Sequence, residues 1–373
     1  MFAVSMPQLN VLVFKEKEII MPVDQANQVV PEGYNVAAVE AWINEQLPVL
    51  SPPFRWTPLE GGHSNLTYLI KDSAGELAVI RRPPQGKLLP KAHDMGREWA
   101  IISSLGPTPV PVAKALAFCP GADVTGAHFY VMGHVRGKAL HTAADTEKWI
   151  PVEQRETLAW SFFDVLAELH ALDADAIGLG DLGKKENYVG RQLKTWYRSW
   201  TSSCAAADYD DPRAHALQQF LESNIPEQGQ ARVVHGDYGL HNCLINEDAQ
   251  IAAVLDWEIS TLGDPLADLA YALNQWTLPG DPSPVKPDAS SAVPGMPSRE
   301  SLALRYSERT GCDLSNLDFY IGFNWWKSAM IIHGVYARYM TGKKSTAGVD
   351  LNDIQLRVER SLDQAETAIN RIR

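Results

Sequence analysis

The sequence contains few cysteines, and they are widely spaced. Only four occur among the 373 residues, at Cys119, Cys204, Cys243 and Cys312, and no C-x-x-C pair is present. This spacing gives no signal of a zinc site or of a disulfide framework. The predicted compartment is therefore a reducing cytoplasm.

The chain also lacks an apolar run of the ~20 residues that a bilayer requires. The apolar patch Val11–Phe14 is followed at once by the charged segment Lys15–Glu18, with no small-residue cleavage site. The aromatic stretch Phe319–Met340 is interrupted by Asn324, Lys327, His333 and Arg338. Neither a signal peptide nor a membrane interaction is predicted.

Positive charge is the third deficit. Lys and Arg total 33 against 45 Asp and Glu, which gives a formal net charge of −12. A protein that grips phosphate backbones carries the opposite balance, so nucleic acid is not an expected partner. The length predicts two or three folded units at roughly 150 residues each.

The first part of the chain has the pattern of a small α+β lobe. Residues 1–35 are interpreted as an N-terminal extension, and the lobe is predicted to span residues 36–133. Helical spacing and Gly-rich or Asp-rich breaks between β-like runs define its elements. The predicted helices are Val36–Leu47 and Asp94–Leu105, and the predicted strands are Arg55–Leu59, Leu66–Lys71, Leu77–Arg81, Val112–Phe118 and His128–Met132.

Residues 134–373 have the pattern of a second, mainly helical lobe. Leu158, Phe162, Val165 and Leu169 step by four, three and four, which lines one face of a helix. Further helices are predicted at Pro265–Gln275, Ser301–Arg309, Phe319–Met340 and Asp353–Arg373, and short strands at Arg232–Val234, Cys243–Asn246 and Ile251–Leu255.

The segment 233–258 concentrates residues suited to catalysis. Asp237 follows one short β run, Asn242 comes five residues later, and Asp256 ends the next apolar β run. A hairpin-like unit can therefore bring the three side chains together. Carboxylate and amide oxygens are ligands that Mg²⁺ prefers, and a carboxylate off the metal can accept the proton of an attacking hydroxyl.

The residues themselves resemble a known family. His235-Gly236-Asp237-x-x-x-x-Asn242, then Asp256-Trp257-Glu258 and Gly263-Asp264-Pro265, are similar to the motifs of the aminoglycoside phosphotransferase and choline kinase-like family. The resemblance covers roughly residues 36–340. It is closest to the branch of hydroxy-acid and hydroxyacyl-CoA kinases that includes kinase domains fused to acyl-CoA dehydrogenases. It implies a two-lobed, protein-kinase-like α+β fold.

The resemblance also implies roles and cofactors. Asp237 is expected to be the catalytic base, Asn242 and Asp256 the ligands of Mg²⁺, and Asp268 a support for the catalytic loop, with ATP as phosphoryl donor. Four other interpretations remain open: a structural network of Asx turns, a catalytically silent kinase-like binding module, a protein kinase, and a metal-dependent phosphohydrolase.

The small lobe is expected to hold the nucleotide. The resemblance places the phosphates on a loop made of Gly61, Gly62, His63, Ser64 and Asn65. It also pairs Arg81 with the phosphates and with Glu98, and it places Met132 in a hinge beside the adenine. Strand alternation directs Arg81 into the cleft and Arg82 away from it. A plain hairpin turn, exposed arginines and core packing are the alternatives.

The acceptor is expected to be a small molecule that carries a hydroxyl. Arg191, Lys194 and Arg198 step by three and four, so they share one helical face. Such a basic stripe favours an anionic hydroxy acid or hydroxyacyl-CoA over an aminoglycoside or a choline-type amino alcohol. A simple solvated helix face is the alternative interpretation. The oligomeric state is left open.

Overall fold

The structure is a computed structural model, and it describes residues 31–59, 65–86, 93–342, 346 and 348–372. Residues 1–30 of the predicted extension lie outside the described residues. So do four members of the predicted phosphate loop, Gly61, Gly62, His63 and Ser64.

The first half of the fold is a five-stranded antiparallel sheet with the order β1-β2-β3-β5-β4. Tyr68, Ile70, Ile80 and Val131 are buried in the core on one face of this sheet. The strands are β1 (Arg55–Pro58), β2 (Leu66–Lys71), β3 (Leu77–Arg82), β4 (Ala115–Cys119) and β5 (Phe129–Gly133).

Two helices flank the sheet, and each begins at a capping side chain. Asn35 accepts a hydrogen bond from the backbone N–H of Ala38 at the start of α1 (Val36–Gln46). Asp94 accepts one from Arg97 at the start of α2 (Met95–Leu105). The chain that leads into α1 is already packed, because Tyr34 is buried against Trp56 and Tyr68.

The rest of the chain is mainly helical. Buried residues of α4, α7 and α8 form one core, and those of α5, α6, α9 and α10 form a second core. The helices are α3 (Ala143–Trp149), α4 (Arg155–Ala171), α5 (Tyr188–Ala207), α6 (Pro212–Ser223), α7 (Pro265–Gln275), α8 (Arg299–Thr310), α9 (Leu317–Met340) and α10 (Leu351–Ile369).

Two short antiparallel ladders interrupt the helices. β6 (Arg232–Val234) pairs with β9 (Thr261–Gly263), and β7 (Cys243–Ile245) pairs with β8 (Ile251–Val254). The segments next to these strands carry Asp237, Asn242 and Asp256. The two ladders therefore fix the backbone positions of these residues. Since β5 ends at Gly133 and helices dominate afterwards, we propose the lobe boundary at residues 133–134.

The α+β class predicted from the sequence is confirmed, with helices and strands close to their predicted positions. The prediction missed α6, although Asp211 caps that helix and Pro212 occupies its first turn. It also missed β9, which follows a turn directly and ends at Gly263 with a single buried apolar side chain, Leu262. Within the described residues, no helix has the length and apolar character to cross a bilayer.

Helix α8 offers a matched test of the core. Leu302 is fully buried, whereas Leu304, two residues away, is 59% exposed. Leu302→Ala should lower the free energy of unfolding by about 2–5 kcal/mol, since it leaves a cavity. Leu304→Ala should change it by less than about 0.5 kcal/mol. Urea unfolding followed by circular dichroism measures both, and equal losses would contradict this packing.

Candidate active site

Asp268 of α7 anchors the loop between β6 and β7 by hydrogen bonds. This buried carboxylate accepts hydrogen bonds from the backbone N–H groups of His235, at 2.7 Å, and of Gly236, at 2.8 Å. His170 Nε2 lies 3.3 Å from the same carboxylate. Although burial opposes its ionisation, these groups keep the pKa of Asp268 below its ordinary value. The carboxylate therefore fixes the backbone immediately before Asp237.

Asp237 is anchored through both of its carboxylate oxygens. The Tyr271 hydroxyl donates a hydrogen bond to Oδ1, and Asn242 Nδ2 donates one to Oδ2 at 3.1 Å. His241 Nε2 lies 3.6 Å from Oδ2. Burial raises the pKa of Asp237, but His241 and Tyr271 outweigh burial and leave it below the ordinary value. Asp237 is therefore ionised at neutral pH and able to accept a proton.

Asn242 and Asp256 stand side by side at one end of the β7–β8 ladder. Asn242 immediately precedes β7, and its carbonyl oxygen accepts a hydrogen bond from Leu255 N at 2.8 Å. Asp256 follows with φ +60° and ψ +63°, a left-handed conformation that non-glycine residues seldom adopt and that clusters at functional sites. Because Asn242 turns its amide nitrogen toward Asp237, its amide oxygen points away from that carboxylate.

Arg81 joins the sheet to this second cluster. Its Nε lies 3.1 Å from Glu98 Oε2 on α2, and its Nη2 lies 3.0 Å from Asp256 Oδ1. Tyr130 donates a 2.8 Å hydrogen bond to Glu98 Oε2. Burial raises the pKa of Glu98 against the opposing charge of Arg81. Arg82 faces away, because it donates to the carbonyl of Thr125.

Glu258 lies close to the same ion pairs. Carboxylate oxygens of Glu98, Asp256 and Glu258 all lie within 4.8 Å of one another. The guanidinium of Arg81 contacts two of these three groups and offsets part of their negative charge.

The remaining nucleotide-site predictions concern Asn65, which immediately precedes β2, and Met132 of β5. Asn65, the described member of the predicted phosphate loop, donates to Glu98 Oε1 at 3.4 Å, and its Oδ1 lies 2.9 Å from His93 Nδ1. Met132 pairs with Val79 in the sheet and is half-buried. Asn65 therefore contacts Glu98 directly, and Met132 lies on the strand that pairs with β3, which carries Arg81.

Sequence reasoning missed two residues beside Asp237. Tyr271 comes three residues after Asp268, so both project from the same face of α7 toward the loop. Lys327 of α9 places its ammonium 5.9 Å from the centroid of the Tyr271 ring. The available signal for Lys327 was a lysine that follows two tryptophans in a helix rich in aromatic residues.

The predicted acceptor stripe lies on the surface of α5. Lys194 and Arg198 are exposed, and Arg191 Nη2 donates to the carbonyl of Lys184 at 2.7 Å. Within the described chain, no recorded hydrogen bond or ion pair joins the stripe to Asp237. The stripe therefore stays a prediction.

Two cavities lie in the helical part of the described chain. One of about 290 Å³ lies between the end of α4 and the segments 185–187 and 228–231, and none of the candidate residues lines it. A smaller one of about 20 Å³ adjoins the catalytic loop and is lined partly by His141, His241 and Lys286. The smaller cavity thus lies next to His241, the neighbour of Asp237, and its volume has room for about one water molecule.

The structure has two lobes. One is a small antiparallel sheet with a buried Arg–Glu pair, and the other is a helical region whose loop carries Asp237 and Asn242. This combination defines a two-lobed kinase-like phosphotransferase. A profile of the phosphotransferase enzyme family matches residues 55–302. The chain belongs to this family and shares the fold of small-molecule phosphotransferases.

Solved structures share the fold. A protein of Ralstonia eutropha JMP134 assigned as an aminoglycoside phosphotransferase is 27% identical, with a TM-score of 0.76 over 90% of this chain and 99% of that chain. Aminoglycoside 2'-phosphotransferase-IIIa in complex with GDP is 15% identical, with a TM-score of 0.58 over 88% and 99%. The second likeness bears on the fold alone.

Curated relatives are longer than this chain. Acyl-CoA dehydrogenase family member 11 of Rattus norvegicus is 31% identical over 357 residues, which are 92% of this chain but 45% of that protein. The mouse family member 10 is 33% identical over 79% of this chain and 27% of its own length. The chain thus spans less than half the length of these two relatives.

The Asp268 support can be tested directly. Asp268→Ala leaves the buried N–H groups of His235 and Gly236 without their acceptor, which destabilises the loop. Amide hydrogen exchange over residues 235–242 should accelerate at least about tenfold. Asp313→Ala, which alters an exposed turn, is the control and should leave that segment unchanged. Unaltered protection in Asp268→Ala would refute the support.

Proposed function

We propose that the protein transfers the γ-phosphoryl group of Mg·ATP to a hydroxyl of an anionic small molecule, a hydroxy acid or a hydroxyacyl-CoA. The observation that carries the proposal is the convergence of two clusters. Asp237 with Asn242 supplies a base, and Arg81 with Asp256 supplies charge for phosphates. Phosphoryl transfer depends mainly on positioning and on neutralising charge, which this arrangement provides.

The residues present fit a magnesium–nucleotide complex. Mg²⁺ prefers oxygen ligands, and the Asp256 carboxylate and the Asn242 amide oxygen are of that kind. When bound, the ion would neutralise charge on the β- and γ-phosphates. A neighbour of the same fold is recorded in complex with GDP, which supports a nucleotide in this cleft.

On the nucleotide side, Arg81 is the residue that holds phosphate. Its guanidinium is buried, and it is kept in place by Glu98, whose other contacts are Tyr130 and Asn65. A guanidinium is permanently charged and forks toward two oxygens, so it suits phosphate binding. Gly61, Gly62, His63 and Ser64 lie outside the described residues, so their contact with the phosphates stays a prediction from the sequence, and Met132 is the residue proposed to contact the adenine.

On the acceptor side, Asp237 orients the hydroxyl and accepts its proton. Tyr271 and Asn242 fix the two oxygens of the carboxylate, so its direction is set before the substrate arrives. Since this carboxylate is ionised at neutral pH, it can take the proton as the oxygen attacks the phosphorus.

The anionic class of acceptor is supported by charge. Lys286 lies near His241 of the catalytic loop, and α5 exposes Lys194 and Arg198. A polycationic aminoglycoside would need carboxylates in these places. The similarity to acyl-CoA dehydrogenase family members points in the same direction, although it concerns less than half of their length.

Asp237 and Asp256 should respond differently to Mg²⁺. Asp237→Asn should lower kcat by about 10²–10⁴ at every Mg²⁺ concentration, because it removes the proton acceptor. Asp256→Asn should raise the Mg²⁺ concentration needed for half-maximal rate, so added Mg²⁺ recovers part of its activity.

A coupled assay of ADP release, run across Mg²⁺ concentrations with each acceptor, measures both variants. Turnover above a tenth of wild type in Asp237→Asn would remove that residue from its role. Mg²⁺ curves that coincide for wild type and Asp256→Asn would remove the metal assignment.

The acceptor class is tested by charge reversal on α5. The double variant Arg191→Glu and Arg198→Glu should raise KM for the hydroxy acid or hydroxyacyl-CoA that the wild type phosphorylates at least about fivefold, since it turns attraction into repulsion. Arg338→Glu with Lys148→Glu reverses the same amount of exposed charge elsewhere and should leave KM unchanged. Efficient turnover of kanamycin or choline without turnover of any hydroxy acid or its CoA thioester would exclude the proposed class.

A further inference from the structure

Lys327 is a buried basic residue next to Tyr271, the residue that donates a hydrogen bond to Asp237. It lies in α9 among Phe323, Trp326 and Met330, which are fully buried, and it is only 8% exposed itself. Its ammonium lies 5.9 Å from the ring centroid of Tyr271, whose hydroxyl donates to Asp237. The side chain thus reaches from the second helical core toward the acceptor side of the catalytic loop.

The carboxylates nearest to Lys327 are already engaged by other groups. Asp268 accepts from His235 N and Gly236 N and contacts His170. Both oxygens of Asp237 are likewise bonded. Among the residues that the structure describes, Lys327 has no hydrogen bond and no ion pair, so its ammonium has N–H donors to offer.

A buried ammonium without an anion is unfavourable for folding. Burial lowers the pKa of Lys327, and the charges of Asp268 and Asp237 oppose that shift without cancelling it. An anion bound next to the ammonium would remove this imbalance. Since Tyr271 contacts both Lys327 and Asp237, such an anion would belong to the molecule whose hydroxyl meets the base.

We propose that Lys327 binds the carboxylate of the acceptor and so selects a hydroxy acid whose carboxylate lies a few bonds from the reacting hydroxyl. The inference rests on the proposed function, in which Asp237 orients that hydroxyl. It gives the site a charge requirement, because an amino alcohol or aminoglycoside would bring a second cation against Lys327. Lys327 is then a specificity-determining residue. Tyr271 lies between Lys327 and Asp237, because its ring faces the ammonium and its hydroxyl donates to the carboxylate.

The test compares acids with their neutral esters. The probes are 2-, 3- and 4-hydroxybutyrate and the methyl ester of each, added to the full chain in the presence of Mg·AMP-PNP for calorimetry or Mg·ATP for turnover. We expect Lys327→Met to weaken binding of the preferred acid, and to raise its KM, at least about tenfold, whereas the ester should change less than about twofold. Lys327→Arg should retain the preference for the acid.

A second readout separates recognition from folding. Because methionine fills the same space without a charge, Lys327→Met should match or exceed the melting temperature of the wild type without ligand. Lys148→Met on the exposed face of α3 is the matched control, and it should alter neither binding nor melting.

Each outcome decides the matter. Equal losses for acid and ester in Lys327→Met, a large drop in its melting temperature, or failure of the wild type to bind any of the three acids would overturn the inference. Acid binding that depends on Lys327 without any release of ADP would support the inference while contradicting the proposed function.

Discussion

The hydrogen bonds from two consecutive backbone N–H groups to the buried Asp268 are the constraint on which the site depends. They tie the catalytic loop to α7, and His170 extends the network to Tyr306 of α8 at 2.6 Å. Gly236, at φ +85°, allows the turn that presents both N–H groups to one carboxylate. The loop continues from this anchor directly to Asp237. The position of Asp237 therefore depends on α7 and not on the loop alone.

Arg81 has the matching role between the two halves of the fold. It belongs to β3, its partner Glu98 belongs to α2, and its other contact, Asp256, follows β8. The Arg81 guanidinium therefore fixes the relative positions of β3, α2 and the segment after β8. Arg97, the neighbour of Glu98, strengthens the link by donating to the carbonyl of Ser260. The carboxylates of Glu98 and Asp256 are thus held around one cation, which organises this part of the structure by its own ion pairs.

The acceptor side is built by helix packing. Tyr271 projects from α7 and Lys327 from α9, and these helices pack along each other through the core that contains Phe323 and Trp326. Neither residue lies in a recognisable motif. The motifs were visible because their residues are close together in sequence, whereas Tyr271 and Lys327 are 56 positions apart and meet only in the folded chain.

Local pattern determined a large part of this protein. Periodicity placed most strands and helices, and the spacing of Asp237, Asn242 and Asp256 on either side of one short hairpin predicted that they meet, because a hairpin returns its ends to one place. Alternation along β3 was enough to direct Arg81 and Arg82 to opposite faces. Tertiary structure alone decided what surrounds the base. Burial sets the ionisation of Lys327, and burial depends on contacts between segments that no local pattern relates.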